Sequence, residues 1–144
     1  MSLDGAYDPN NIFAKILRGE MPAAKVHEDD QVLAFMDVFP QSRGHTLVIP
    51  KTPARNLLDV PAEALQALMI RVQTIAGAVR EALQPDGLTI MQFNGAAGGQ
   101  TVYHLHFHII PRWEGQPMTG HGSAGMADPV ELKQLADQIA ARLS

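Results

Sequence analysis

Three histidines, His104, His106 and His108, alternate with Leu105, Phe107 and Ile109 near the middle of the C-terminal half of the chain. On an extended backbone successive side chains point to opposite faces, so the imidazoles share one face and the apolar residues the other. Strand propensity gives no reason for imidazole three times running. An imidazole changes charge near neutral pH, and its neutral nitrogen is a nucleophile. Two chemistries suit the pattern. Three imidazoles could hold a zinc-like metal, but positions i, i+2 and i+4 spread over about 13 Å at roughly 3.3 Å per residue. The outer pair therefore cannot share one ion, although an adjacent pair with a distant ligand could. The second chemistry is displacement at phosphorus. One imidazole attacks, a covalent intermediate forms, and neighbouring imidazoles stabilise charge and protonate the leaving atom. Just upstream, Gly98-Gly99-Gln100-Thr101 offers backbone N–H groups, an amide and a hydroxyl, the makings of a phosphate cradle.

The elements that must position these residues follow from periodicity. Ile12, Phe13, Ile16 and Leu17 have helical spacing and Gly19 stops them, which predicts a short helix over 11–19. Lys25-Val26-His27, Val32–Asp37 and Thr46–Ile49 read as three strands joined by short turns, hence antiparallel. Leu65, Leu68, Met69, Val72, Ile75, Val79 and Leu83 form a sustained stripe that predicts a helix of about six turns. Gly77 within it suggests close packing. Leu88–Phe93 and Val102–Ile110 read as a fourth and fifth strand around the loop Asn94–Gly99. Asp128-Pro129-Val130-Glu131 has the form of a helix start, and Leu132, Leu135, Ile139 and Leu143 carry that last helix. The expected fold is α+β: an antiparallel sheet of about five strands, a long helix packed on it, and short N-terminal and C-terminal helices. Residues 1–10 are expected to be a flexible N-terminus and 11–144 one domain, with its core over 11–113, a Gly-rich loop over 114–127 and a helix over 128–143.

The 144 residues include 15 acidic and 11 basic side chains, a formal charge of -4, with 46% hydrophobic and 18% charged residues. This is globular composition without the basic footprint of a nucleic-acid binder. No apolar run approaches the roughly 20 residues that span a bilayer, and Asp4 and Asp8 are wrong for a signal peptide, so no membrane partner and a cytoplasmic location are expected. The absence of cysteine rules out disulfides, thiolate nucleophiles and Cys-ligated zinc together.

Gly99-Gln-Thr-Val-Tyr-His-Leu-His-Phe-His-Ile-Ile-Pro-Arg112 resembles the signature of the histidine triad (HIT) family. Asn11-Ile-Phe-Ala-Lys-Ile-Leu-Arg-Gly-Glu20, Leu33-Ala-Phe-Met-Asp37 and Gly44-His-Thr-Leu-Val-Ile-Pro-Lys51 are similar to the family's other blocks in the same order, most of all to its HINT-like bacterial branch. The resemblance implies that His106 is the nucleophile, that His104 supports it through the backbone carbonyl, and that His108 and His45 flank the α-phosphate. Thr101 would stand near the leaving group and Gly99 and Gln100 in the phosphate loop. Asn94 would contact the phosphate or sugar side, and Asp37 would hold the ribose hydroxyls. Phe13, Ile16, Phe35 and Val38 would surround a purine base, while His27 and His121 are bystanders. The implied protein is a homodimer that hydrolyses a purine nucleotide conjugate without a cofactor, an adenosine phosphoramidate in the first place. A dinucleoside polyphosphate is the alternative substrate, and a nucleotide- or partner-binding module with vestigial catalysis the alternative of another class. Many bacterial relatives carry a structural zinc whose ligands fall at Asn11, Ala14, Pro53 and His104 here. Three of the four are not ligands, so no metal is expected.

Overall fold

The computed structural model describes residues 2–117 and 125–143. Asn11 starts the first helix, α1 (Ile12–Leu17), its side-chain oxygen accepting the Ala14 N–H at 2.9 Å. The strands β1 (Lys25–Glu28), β2 (Val32–Met36) and β3 (Thr46–Pro50) follow. The long helix α2 (Ala62–Leu83) ends on Gln84 in the left-handed region, and β4 (Gly87–Met91) returns to the sheet. A 3-10 turn (Ala96–Gly98) precedes β5 (Phe107–Arg112), and α3 (Pro129–Ala140) comes last, with the Asp128 carboxylate accepting the Val130 N–H. The five strands form one antiparallel sheet in the order β1-β2-β3-β5-β4. The expected α+β architecture is what the chain adopts.

Both faces of the sheet are covered, which is why β2 and β3 are buried at every position. Val32, Ala34, Met36 and Val48 pack with Leu68, Val72, Ile75 and Val79 of α2 and with Leu132, Leu135 and Ile139 of α3. Leu33, Phe35, Leu47 and Ile49 point the other way, onto Phe13 and Ile16 of α1. The histidine segment obeys the same alternation: Leu105, Phe107 and Ile109 all join the helical side. Burying each of these side chains is worth about 1.5–3 kcal/mol, so the alternation fixes which face the imidazoles take.

Two expectations need correction. The fifth strand begins at Phe107 instead of Val102: residues 102–106 are irregular, because β3 pairs with β5 only over Phe107–Ile109. Close packing does not account for Gly77, since a Cβ there would meet nothing within 4 Å. In the N-terminal segment the Ser2 and Leu3 carbonyls accept from Arg55 Nη2 at 2.9 Å and Asn56 Nδ2 at 3.0 Å. Gly44, by contrast, is required: it has φ +91, and a Cβ would lie 2.3 Å from Leu83 Cδ1. That tight turn places the residue after it, His45, immediately before β3, where its carbonyl accepts the Asp37 N–H at 3.0 Å.

Candidate active site

Each histidine of the cluster is held by partners that decide which ring nitrogen carries a proton. His106 Nδ1 lies 2.7 Å from the His104 carbonyl oxygen, which only accepts, so Nδ1 carries the hydrogen and Nε2 keeps its lone pair. His45 Nδ1 accepts the Gln41 N–H at 3.0 Å, which puts the His45 hydrogen on Nε2. That Nε2 lies 2.9 Å from His108 Nδ1 and 3.4 Å from Asp37 Oδ2. His108 Nδ1 therefore accepts, and its own hydrogen sits on Nε2. His104 Nε2 donates to the Pro50 carbonyl at 2.8 Å, and its Nδ1 accepts from the Tyr7 hydroxyl at 2.7 Å. Burial holds the His104 pKa below the ordinary histidine value, partly offset by the Pro50 bond, in keeping with a neutral ring.

The rings of His106 and His108 stand 4.9 Å apart, and those of His45 and His108 5.1 Å apart. Phe13 meets the His106 ring edge-on at 4.9 Å, and Phe93 meets His108 at 5.4 Å. Asp37, His45, His106 and His108 are all buried, and Asp37 Oδ1 accepts the Phe39 N–H at 2.8 Å. One carboxylate oxygen thus holds the turn after β2 while the other faces the His45–His108 pair, where it is placed to offset positive charge.

A cavity of about 1060 Å³ opens on this cluster. Of the residues expected from the sequence, Phe13, Ile16, Phe35, Asp37, Val38, Gly99, Thr101, His106 and His108 line it. His45 and His104 stand behind it, each fully buried. Asn94 and Gln100 are not on the cavity wall. The Asn94 oxygen accepts the Leu57 N–H at 2.9 Å and its amide exchanges bonds with Gln92. Gln100 accepts the Gly95 N–H at 2.8 Å and donates to the Arg55 and Val102 carbonyls. Both side chains build the Gly-rich loop instead of reaching into the cleft. Gly99 supplies that loop with φ +102 against the Phe93 ring, a conformation costly for other residues.

Sequence reasoning missed Phe93, Gln41 and Tyr7. Phe93 and Gln41 reach the cavity wall, and Tyr7 reaches the back of the cluster. Only Phe93 had a signal, as an apolar residue one step before the loop. His27 bonds Asp29 at 2.7 Å away from the cluster, and His121 lies outside the described residues.

Among the described residues, Asp37, His45 and His108 place ligand atoms within 4.8 Å of one another, close enough for a metal in principle. Their hydrogen bonds already account for the spacing. The zinc positions implied by the family resemblance do not fit a metal. Asn11 caps α1 with its side-chain oxygen, Ala14 and Pro53 have no donor atom, and both His104 ring nitrogens are bonded.

Comparison with known proteins gives a consistent set of likenesses. The HIT domain family profile matches residues 18–115. The crystal structure of a Hit-like protein involved in cell-cycle regulation from Bartonella henselae superposes with a TM-score of 0.89 at 54% identity, covering 96% of this chain and 100% of that one. Protein hit of Bacillus subtilis is 41% identical over 138 residues, 94% of this chain and 95% of the relative. Adenylylsulfatase HINT3 of Arabidopsis thaliana is 42% identical over 103 residues, 72% of this chain and 52% of the plant protein. No described helix is long and apolar enough to cross a membrane.

Proposed function

Because the chain belongs to the histidine triad family, we propose that it is a nucleotide hydrolase or transferase that works at the α-phosphorus through a covalent nucleotidyl–His106 intermediate. The observation that carries this reading is the His106 tautomer: its Nδ1–H is bound to the His104 carbonyl, which puts the lone pair of the neutral ring on Nε2 of a residue that lines the cavity. An adenosine phosphoramidate is the substrate of choice. Its base lies among Phe13, Ile16, Phe35 and Val38, its ribose hydroxyls near Asp37, and its leaving group near Thr101. The relative named adenylylsulfatase acts, by that name, on an adenylyl conjugate, which is chemistry of the same kind.

In the first half-reaction His106 Nε2 attacks phosphorus as the phosphorus–nitrogen bond to the leaving amine breaks. The amine takes a proton held on the His45–His108 pair beside Asp37. The attack leaves positive charge on the His106 ring, and its bond to the His104 carbonyl strengthens with that charge. The Gly98, Gly99 and Gln100 N–H groups donate to the Gly95 and Ala96 carbonyls and shape the loop, and the Thr101 hydroxyl, on the cavity wall, binds a phosphoryl oxygen. In the second half-reaction water attacks phosphorus, the bond to His106 Nε2 breaks, and the proton from water returns to the pair. Nucleoside monophosphate leaves, and the enzyme is restored without metal or cofactor.

Intact-mass measurement after a short reaction with adenosine phosphoramidate tests this directly. The expected adduct is one nucleoside monophosphate, present in the native chain and lost in a folded His106→Ala variant that has no turnover. Unchanged turnover in that variant refutes the mechanism. Dinucleoside polyphosphate remains the second reading, since the same atoms would serve it, and relative kcat/KM on the two substrates separates them. Tight nucleotide binding with no turnover of either would instead favour a binding module. The proposal includes a cytoplasmic homodimer joined through β4, which stands at the sheet's edge with Ile90 43% exposed.

A further inference from the structure

The peptide unit that orients His106 lies outside the regular sheet. Its carbonyl, from His104, receives His106 Nδ1–H at 2.7 Å, and its N–H, from Leu105, donates to the Ala54 carbonyl at 2.9 Å. Since β5 begins only at Phe107, no strand pairing fixes the His104 backbone. What fixes it is the Leu105 N–H bond to Ala54 together with the His104 ring, which is braced at both nitrogens: Nε2–H on the Pro50 carbonyl and Nδ1 under the Tyr7 hydroxyl. The Tyr7 ring also meets the imidazole edge-on at 5.7 Å. Tyr7 in turn is carried by the N-terminal segment that Arg55 and Asn56 anchor at Ser2 and Leu3.

Resting on the reading of His106 as nucleophile, we propose that Tyr7 is a positioning residue for it. The Tyr7 hydroxyl holds the His104 ring, and the His104 ring aims the carbonyl that binds His106 Nδ1–H. Proton bookkeeping is consistent along the chain of bonds. The Pro50 oxygen can only accept, so His104 Nδ1 is bare and the Tyr7 O–H donates to it. Burial pushes the Tyr7 hydroxyl above the ordinary tyrosine range, against a bond from Asn11, and the hydroxyl stays a donor. The consequence falls on the transition state. Positive charge develops on the His106 ring during attack, so a well-aimed carbonyl stabilises that state more than the ground state. Tyr7 should therefore act on kcat and leave KM alone.

The test is Tyr7→Phe, which keeps the ring and removes only the hydroxyl. The expected result is a fall in kcat of about tenfold with KM within about twofold, in protein of native fold by circular dichroism. The acidic limb of kcat/KM should move to lower pH, because a poorly aimed carbonyl stabilises the His106 imidazolium less. Independently of turnover, the Nδ1–H resonance of His106 in ¹⁵N-histidine-labelled protein should move upfield as its hydrogen bond lengthens. A folded Tyr7→Phe variant with native kcat, pH profile and resonance overturns the proposal. So does an activity loss that matches the fraction unfolded while the pH limb stays put. If His106→Ala still turns over but the resonance moves in Tyr7→Phe, the nucleophile reading fails and the positioning role stands.

Discussion

His45 offers a substitution pair that separates catalysis from structure within one ring. Its Nδ1 serves the fold by accepting the Gln41 N–H at 3.0 Å, and its Nε2 serves the site by donating to His108 Nδ1 at 2.9 Å. Asparagine places its amide near the Nδ1 position, and glutamine places its amide near the Nε2 position. His45→Asn thus keeps an acceptor for Gln41 and loses the donor to His108; His45→Gln does the reverse. The residue is fully buried, so neither lost bond is replaced cheaply by water. Removing one buried partner costs about 1–3 kcal/mol of stability, so both variants should unfold earlier in urea by similar amounts.

The catalytic cost is different in kind. In the reaction the pair carries a proton, and a hydrogen bond to a charged group is worth about 1.5–3 kcal/mol. At one decade per 1.36 kcal/mol, His45→Asn should lose about 10- to 160-fold in kcat. His45→Gln should stay within a few-fold of native. Steady-state rates on adenosine phosphoramidate, normalised to folded protein, give the comparison. Equal kcat in the two variants would refute the assignment of Nε2 to the proton-holding pair. So would full activity in His45→Asn.

Two further outcomes follow from the same geometry. Burial holds the His104 pKa in the folded chain below the ordinary histidine value, so the unfolded chain binds this proton first as pH falls. His104 should therefore cost stability as pH drops below 6.5, by at most about 1.36 kcal/mol per pH unit; His104→Gln should flatten that part of the calorimetric stability profile, and an unchanged slope would contradict it. The edge position of β4 predicts a dimer by light scattering that Ile90→Lys converts to monomer, whereas a dimer that survives this change uses another surface.

Features written in short stretches of sequence were readable without the fold. The α2 stripe, the Asp128-Pro129 helix start and the alternation of imidazole with apolar residues each depend on neighbours within one or two turns. The face taken by the triad was readable for the same reason, because misplacing Leu105, Phe107 and Ile109 would expose three large apolar side chains. The glycine loop was legible as a loop, but the duties of its amides were not. Asn94 and Gln100 look like ligands in sequence, and in the fold they are occupied by Leu57, Gln92, Gly95 and Arg55.

Sequence by itself thus determined the chemistry on offer: three imidazoles on one face, no thiolate, and a glycine-rich loop beside them. Tertiary structure alone decided what each imidazole does. Whether a ring nitrogen donates, accepts or stands ready to attack depends on the group opposite it, and those groups come from far along the chain. His45 reaches His108 across 63 positions, Pro50 reaches His104 across 54, and Tyr7 reaches His104 across 97. No local periodicity encodes such pairings, because each joins residues that only the closed fold brings together, the Gly44 turn against Leu83 doing so for His45.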